Sequence, residues 1–308
     1  MGARFHDDFQ GLENWSTEVD AGWELADFGV ETTWWQRPFC EGELYDEALR
    51  RANFRARQPL FYCVRRGSAH DGSLDNALKR QAESLGVAVC LGQKADAAAV
   101  DIFAGGPSWQ PIGIARGLTF ALDHRDVAAQ IHSDRMAPGG YVYFLVAQGQ
   151  ATLAVVLSRE FSSAQRCLRR AVERVEALYG VRVPPEANEW AGNAAFRIPT
   201  TCVRGRTLWV GEAAGFQDAL FGFGIRTAMI SGALTGLSIA EGLNYERAWR
   251  QRLHPFLEAS RVNRFVYERM PAARRLFWRV ASVAPDGTSV LRHIYRRTWL
   301  HRLASQLF

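Results

Sequence analysis

The chain has 308 residues and a net charge of +5, enough length for two domains or for one large α/β unit with an appendage. Among its 37 basic residues only Lys79 and Lys94 are lysines, and the arginines are scattered rather than massed, which argues against a nucleic-acid partner. No run approaches about 18 uninterrupted apolar residues and the first ten contain no apolar signal core, so a cytoplasmic protein, at most attached to a membrane surface, is expected.

Residues 1–45 are rich in aromatics and acids and read as loop plus a short helix starting near Ser16-Thr17-Glu18. Within them Asp7, Asp8, Glu13 and Trp15 read as a solvated acidic, aromatic loop. The run PLFYCVRRG (59–67) reads as a strand, and Ser73 then precedes a helix whose Leu74, Ala77, Leu78, Ala82 and Leu85 recur at helical spacing up to Gly86. VAVCLG and AVDIFAGG follow as buried strands, which makes strand, helix, strand a βαβ unit. Between about 115 and 195 short β-rich runs dominate, with AQGQ as a hairpin turn and one amphipathic helix, SSAQRCLRRAVERVEALYG, ending at Gly180. Residues 243–308 are helical and Arg-rich.

The most informative stretch is VGEAAGFQDALFGFGIRTAMISGA, residues 210–233. Thr207–Val210 should be a buried strand; Gly211 permits a sharp turn; Gly222 and Gly224 leave backbone N–H groups bare before a helix over 225–241. Such a helix start attracts anionic or electron-rich oxygen, and Glu212 could accept hydrogen bonds from ligand hydroxyls. Ala228, Gly232 and Gly236 share one helix face, so close packing is expected there.

This stretch resembles the G-D-A-A-G-x-x-x-P-x-x-G-x-G-I segment of flavin-dependent oxidoreductases of the geranylgeranyl reductase type, within the p-hydroxybenzoate-hydroxylase-like group. The resemblance covers Gly211, Glu212, Gly222, Gly224 and Ile225. It implies that the acid meets hydroxyls of FAD and that the glycine pair lies beside the flavin ring and pyrophosphate. Glu212 stands for the usual aspartate, reaching about 1.5 Å farther, and Ala219 stands for the usual proline. FYCVRRGSAHDGSLDNALKRQAESLGVAV resembles the family's strand, basic residue and L-D-x-x-L helix, implying Arg65 or Arg66 as the cofactor-side cation. AVDIFAGGPSW implies backbone contact from Gly105 and Gly106, and Arg226 is added to the cofactor set. APGGYVYFLV resembles the P-G-G-Y-x-W-x-F-P motif that faces substrate, with Tyr143 in place of tryptophan. It implies a substrate side made by Tyr141, Tyr143 and Phe144, with Tyr143 as a candidate proton donor.

RFHDDFQGLENWS resembles the segment just after the family's first βαβ, a resemblance that offers proximity to the flavin as the alternative to a solvated surface for Asp7, Asp8, Glu13 and Trp15. The family's G-x-G-x-x-G unit, of about 30 residues, would therefore precede Met1-Gly2-Ala3-Arg4, and weakened FAD affinity and an exposed sheet edge are expected. The implied fold is mixed α/β: a partial Rossmann-like FAD/NAD(P)-binding domain over 1–114 and 196–242, an inserted antiparallel sheet domain over 115–195, and a helical region over 243–308. The implied activity is FAD-dependent hydride transfer with a small apolar substrate (isoprenoid, lipid or aromatic), C=C reduction favoured, and NAD(P)H a possible donor. The alternatives are a flavin monooxygenase and a non-catalytic remnant that no longer holds FAD.

The seven histidines form no i, i+4 pair and the five cysteines no C-x-x-C, so no metal is assigned. SVLRHIYRRTWLHRLASQLF places Leu291, Ile294, Tyr295, Thr298 and Leu303 near one face of a basic helix that could dock on the core, lie on an anionic membrane or cover an apolar tunnel. MPAARRLFWRVAS shares that choice.

Overall fold

A computed structural model describes residues 6–107 and 111–304. Met1 to Arg4, Ser108-Trp109 of the AVDIFAGGPSW motif and the side chains of Arg302 and Leu303 lie outside the described residues. Strands β1 (His6–Glu13), β2 (Gln36–Phe39) and β5 (Phe61–Gly67) form an antiparallel sheet in the order β1-β5-β2. Pro38 is tolerated because β2 is an edge strand. Helix α1 (Ala21–Asp27) starts later than expected because the Asp20 carboxylate accepts from Gly22 N at 2.9 Å, the N-terminal cap that Ser16-Thr17-Glu18 does not supply.

A second sheet has seven strands, in the order β11-β7-β10-β9-β8-β3-β4: β3 (Glu41–Tyr45), β4 (Arg51–Arg55), β7 (Gly113–Ala121), β8 (Val127–Ile131), β9 (Tyr141–Ala147), β10 (Gln150–Leu157) and β11 (Asn188–Ala194). It takes β3 and β4 from residues 41–55, ahead of the expected boundary at 115, and β3 runs parallel to β8. The β9–β10 hairpin turns at Gln148 (φ 47°) and Gly149 (φ 79°), the paired left-handed residues that a two-residue turn requires. Gly140, just before β9, must be glycine because any side chain there would collide with the Val156 carbonyl oxygen, 1.8 Å from an added Cβ.

Helix α2 (Leu74–Ser84) is capped by Ser73, whose hydroxyl accepts from Asn76 N, as the sequence suggests. After it the expected βαβ unit does not form. VAVCLG is an irregular exposed segment, with Val87 55% and Leu91 61% accessible. β6 is only Ile102–Phe103, and it joins β12 (Val203–Arg204) and β13 (Thr207–Trp209) in a third sheet rather than the sheet of β5. An apolar run becomes a buried strand only when neighbouring strands take up its backbone groups, and none of the described strands does so here.

Helix α3 (Ala164–Tyr179) packs across β10 and β7, burying Cys167, Leu168, Ala171 and Val175, and ends at left-handed Gly180. α4 (Gly211–Ala214) and α5 (Ile225–Glu241) follow β13. The close packing expected at Gly232 and Gly236 is absent: no atom lies within 4 Å of a Cβ built at either, and only Ala228 of that set meets a neighbour, Gly211. α6 (Tyr245–Arg252), α7 (His254–Arg269) and α8 (Pro271–Val283) complete the helical region with α9 (Gly287–Tyr295) and α10 (Trp299–Ala304). The C-terminal basic segment is thus two helices, and the first turns Leu291 and Tyr295 into the core. Among the described residues no helix is long and apolar enough to cross a membrane.

Two glycines separate these cases. Gly140→Ala should destabilise the protein by more than about 2 kcal/mol through a backbone collision, whereas Gly236→Ala should stabilise it by about 0.5–1 kcal/mol, since alanine is the better helix former. Urea unfolding of both variants checks the contrast, and equal effects would contradict it.

Candidate cofactor and substrate cavity

The glycine turn is held by side chains of its own segment bonded to its backbone. Gly211 N donates to Ser231 Oγ at 3.0 Å and Thr227 Oγ1 donates to Phe216 O at 2.6 Å, while Gln217 Nε2 donates to Gly222 O at 2.9 Å. Gly211 (φ 56°), Gly215 (φ 89°) and Gly222 (φ 74°) occupy left-handed backbone. The side chain of Asp218, fully buried, accepts from Leu220 N (3.1 Å), Phe221 N (2.9 Å), Tyr295 Oη (2.8 Å) and Ser260 Oγ. Burial pushes this carboxyl up, against the opposing pull of those donors.

The turn opens onto a cavity of about 810 Å³, within the range of about 300–1,000 Å³ typical of cofactor and ligand sites. Gly211, Glu212, Gly222, Gly224, Ile225 and Ala228 form one wall, and Gly105 and Gly106 lie at the same cavity. Helix α5 follows Gly224 without a side-chain cap on its first N–H groups, and Gly224 and Ile225 at its start line the cavity. Arg66 lines another side, tied to Asp75 (2.9 and 3.2 Å) and to Gln10 Oε1 (2.8 Å). Burial works against the Asp75 carboxylate, yet Arg66 and the Gly67 amide hold its pKa below the usual range.

The seven-stranded sheet supplies the opposite wall through Tyr141, Tyr143 and Leu145 of β9. Side chains alternate along a strand, so Phe144 points the other way, into the cluster under α3, with its ring 5.1 Å from that of Tyr179. Phe144 is therefore not on the cavity side where it was expected. Tyr141 Oη donates to the Phe221 carbonyl and so ties the sheet to the glycine turn. Burial pushes the hydroxyls of both Tyr141 and Tyr143 far up, so each holds its proton.

Arg226 and Arg65 do not line the cavity either. Arg226 is fully buried and paired with Glu24, and it donates to Thr17 Oγ1 (2.7 Å), Val19 O (2.9 Å) and Glu13 O (3.4 Å). It ties α5 to the segment between β1 and α1. Arg65 leaves the opposite face of β5 from Arg66, its guanidinium 5.1 Å from the Trp35 ring centre. Asp8, Glu13 and Trp15, read as solvated, are buried, because β1 is covered by the large sheet and by α5.

Several lining residues were not singled out by the motifs: Trp15 and Gln217, which lie within two of them, and Trp190, Gln130, and Phe277 and Trp278 of α8, which lie in none that points to a cofactor. Gln217 Oε1, Trp15 Nε1 and Trp190 Nε1 are buried polar atoms without a hydrogen-bond partner among the described residues, the condition that a polar ligand relieves. Gly11 would have been a hint, since glycine within a strand marks close approach: the Phe223 ring lies 2.2 Å from where its Cβ would be. Behind Gln130, buried His132 shares a 2.6 Å hydrogen bond with Tyr267 Oη and a 3.1 Å one with Gln130 Oε1. Burial, with Arg274 adding, lowers its pKa to about 3, so it is neutral.

By sequence, no family model and no curated protein matches the chain. By structure it is similar to a geranylgeranyl bacteriochlorophyll reductase-like protein from Thermoplasma acidophilum, with 14% identity, TM-score 0.65 and coverage of 88% of this chain and 83% of that one. A flavin-dependent brominase variant is also similar (14% identity, TM-score 0.63, 99% and 89% covered). So is p-nitrophenol 4-monooxygenase from Pseudomonas putida DLL-E4 (14% identity, TM-score 0.56, 92% and 87% covered). The chain has the mixed α/β fold of these flavoproteins.

Glu13 gives this region a pH signature. Burial raises its pKa from near 4.5 to about 7, with Arg226 opposing. A carboxyl with a raised folded pKa costs nothing below its unfolded value and costs progressively more as pH rises toward the folded one. Relative to the parent, Glu13→Gln should therefore gain about 3 kcal/mol of stability between pH 4.5 and 8. Denaturant titrations across that range test this, and parallel curves would contradict it.

Proposed function

We propose that the protein is an FAD-dependent oxidoreductase whose substrate is apolar. The observation that carries this reading is the glycine-lined turn opening an uncapped 17-residue helix onto an 810 Å³ cavity that holds unpartnered buried polar atoms. The residues present fit a flavin. Gly211, Gly222, Gly224 and Ile225 bring backbone to the cavity wall, Glu212 would accept from hydroxyls, Gln217 Oε1 and Trp15 Nε1 offer an acceptor and a donor, and Arg66 lines the cavity with a guanidinium. Gly105 and Gly106 extend the same backbone surface. Bound flavin supplies hydride chemistry.

The protein's own part is to position and to exclude water. Phe61, Phe221, Phe223 and Leu145 make an apolar lining. Tyr141 is committed to the Phe221 carbonyl, and Tyr143 presents the candidate proton-donating hydroxyl on the substrate side. Hydride delivery to a substrate C=C bond, with NAD(P)H as external donor, is the reading of choice.

Titration of the purified chain with FAD tests it. A flavin band at about 450 nm should stay with the protein through desalting, and Gly222→Val and Glu212→Ala should each weaken binding by about tenfold or more. No retained flavin, or variants that bind like the parent, would overturn the reading and favour a remnant that does not hold FAD. With flavin retained, oxygen-dependent NAD(P)H consumption that yields a hydroxylated product would replace the reductase by a monooxygenase.

A further inference from the structure

Gln130 and Tyr143 are direct cross-strand neighbours on β8 and β9, so their side chains leave the same face of the sheet, about 5 Å apart at Cβ. Both line the first cavity. Tyr141 already donates its hydroxyl to the Phe221 carbonyl, whereas among the described residues no hydrogen bond takes up the Tyr143 hydroxyl. The Gln130 carboxamide meets buried His132, its Oε1 3.1 Å from His132 Nε2.

The polarity of that bond is set from the far end of a chain. A second cavity, of about 840 Å³, lies between α7, α8 and α9; Phe221 borders it, and Arg274 and Tyr267 line it. Arg274 can only donate, and it donates to the Tyr267 oxygen, its guanidinium 5.3 Å from the ring centre. The Tyr267 O–H then goes to His132 Nδ1 at 2.6 Å. A neutral imidazole that accepts at Nδ1 carries its proton on Nε2, so Nε2–H meets the carboxamide oxygen and the Gln130 amide N–H groups are left for the first cavity. The His132 ring is packed between those of Trp278 (4.4 Å) and Tyr141 (5.8 Å). A carboxamide does not pass protons along, so the chain orients Gln130 rather than conducting through it.

We propose that Gln130, positioned by His132 and Tyr267, selects a carbonyl oxygen, and that the substrate is an otherwise apolar α,β-unsaturated carbonyl compound held by the Gln130 amide N–H with Tyr143 beside it. The reaction of that compound rests on the flavin reading above, whereas recognition of its carbonyl does not. When the β-carbon receives hydride from reduced flavin, the C=C electron pair moves toward the carbonyl and gives an enolate, whose oxygen is met by the Gln130 N–H. A donor already in place stabilises that charge as it develops. The α-carbon then takes the Tyr143 proton, the carbonyl re-forms, and the tyrosinate recovers a proton from water. The products are the saturated carbonyl compound and oxidised flavin.

The probe is 4-dimethylaminocinnamaldehyde, an enal whose absorption band moves to longer wavelength when its carbonyl oxygen accepts a hydrogen bond. Titrated into the full chain with and without FAD, it should bind saturably with its band moved that way. Gln130→Met and Gln130→Leu should each abolish the shift and weaken binding by about tenfold. Tyr267→Phe, which keeps Gln130 but frees the His132 tautomer, should diminish the shift. 4-Dimethylaminostyrene, which lacks the carbonyl, should bind parent and variants alike. With FAD bound and reduced by dithionite, the enal band should bleach, about a hundredfold more slowly in Gln130→Met. Far-ultraviolet circular dichroism identifies the variants that fold. No saturable binding or no band shift in the parent overturns the proposal, as does a shift kept by the folded Gln130 variants or by Tyr267→Phe, or an equal loss of enal and styrene. If the shifts follow the expected pattern while FAD fails to bind, the carbonyl site stands and the flavin reading falls; if FAD binds and the band does not move, the reverse holds.

Discussion

The Asp218 carboxylate is the constraint on which the cavity depends. It lies within the glycine turn, fully buried, and accepts from two amides of that turn and from hydroxyls on α7 and α9. A buried carboxylate is expensive unless its lone pairs are satisfied, so the turn and the two C-terminal helices take their positions together. The same contact brings Phe221 to the border of both cavities and sets its carbonyl where Tyr141 can donate to it. One side chain thus joins the motif, the large sheet and the helical region.

Arg226 performs the matching task on the other side of the turn. Its buried guanidinium meets Glu24 and the carbonyls of Glu13 and Val19, and Arg252 reaches the same Glu24 from α6. Removing Glu24 would take the ion-pair partner from the buried Arg226 guanidinium. The wall facing the ligand is therefore free of charge from this arginine and is made of backbone, aromatic rings and a few polar side chains. Such a wall is compatible with the large, flat, mostly apolar group with polar edges proposed for it.

Local chemistry was legible in the sequence. The Ser73 cap, the Gln148-Gly149 turn, the Gly180 stop and the strand-turn-helix at 207–241 all depend on nearby residues, and all formed. The period of two in YVYFLV separates Tyr141 and Tyr143 from Phe144. Long-range partners were not legible: Arg226 reads as a ligand cation until Glu24, more than 200 positions away, is seen beside it. VAVCLG reads as a strand by composition, but pairing with other strands decides that outcome. Asp8 and Glu13 read as surface acids because nothing local signals that β1 is covered.

The proposed flavin lies against the backbone from Gly211 to Thr227, and hydrogen–deuterium exchange with and without FAD measures that directly. FAD should slow exchange at the amides of Gly222, Gly224, Ile225 and Arg226 and across β9, while leaving α3 on the far side of the sheet unchanged. Unchanged exchange along the glycine turn with saturating FAD, or protection confined to α3 or α10, would contradict it.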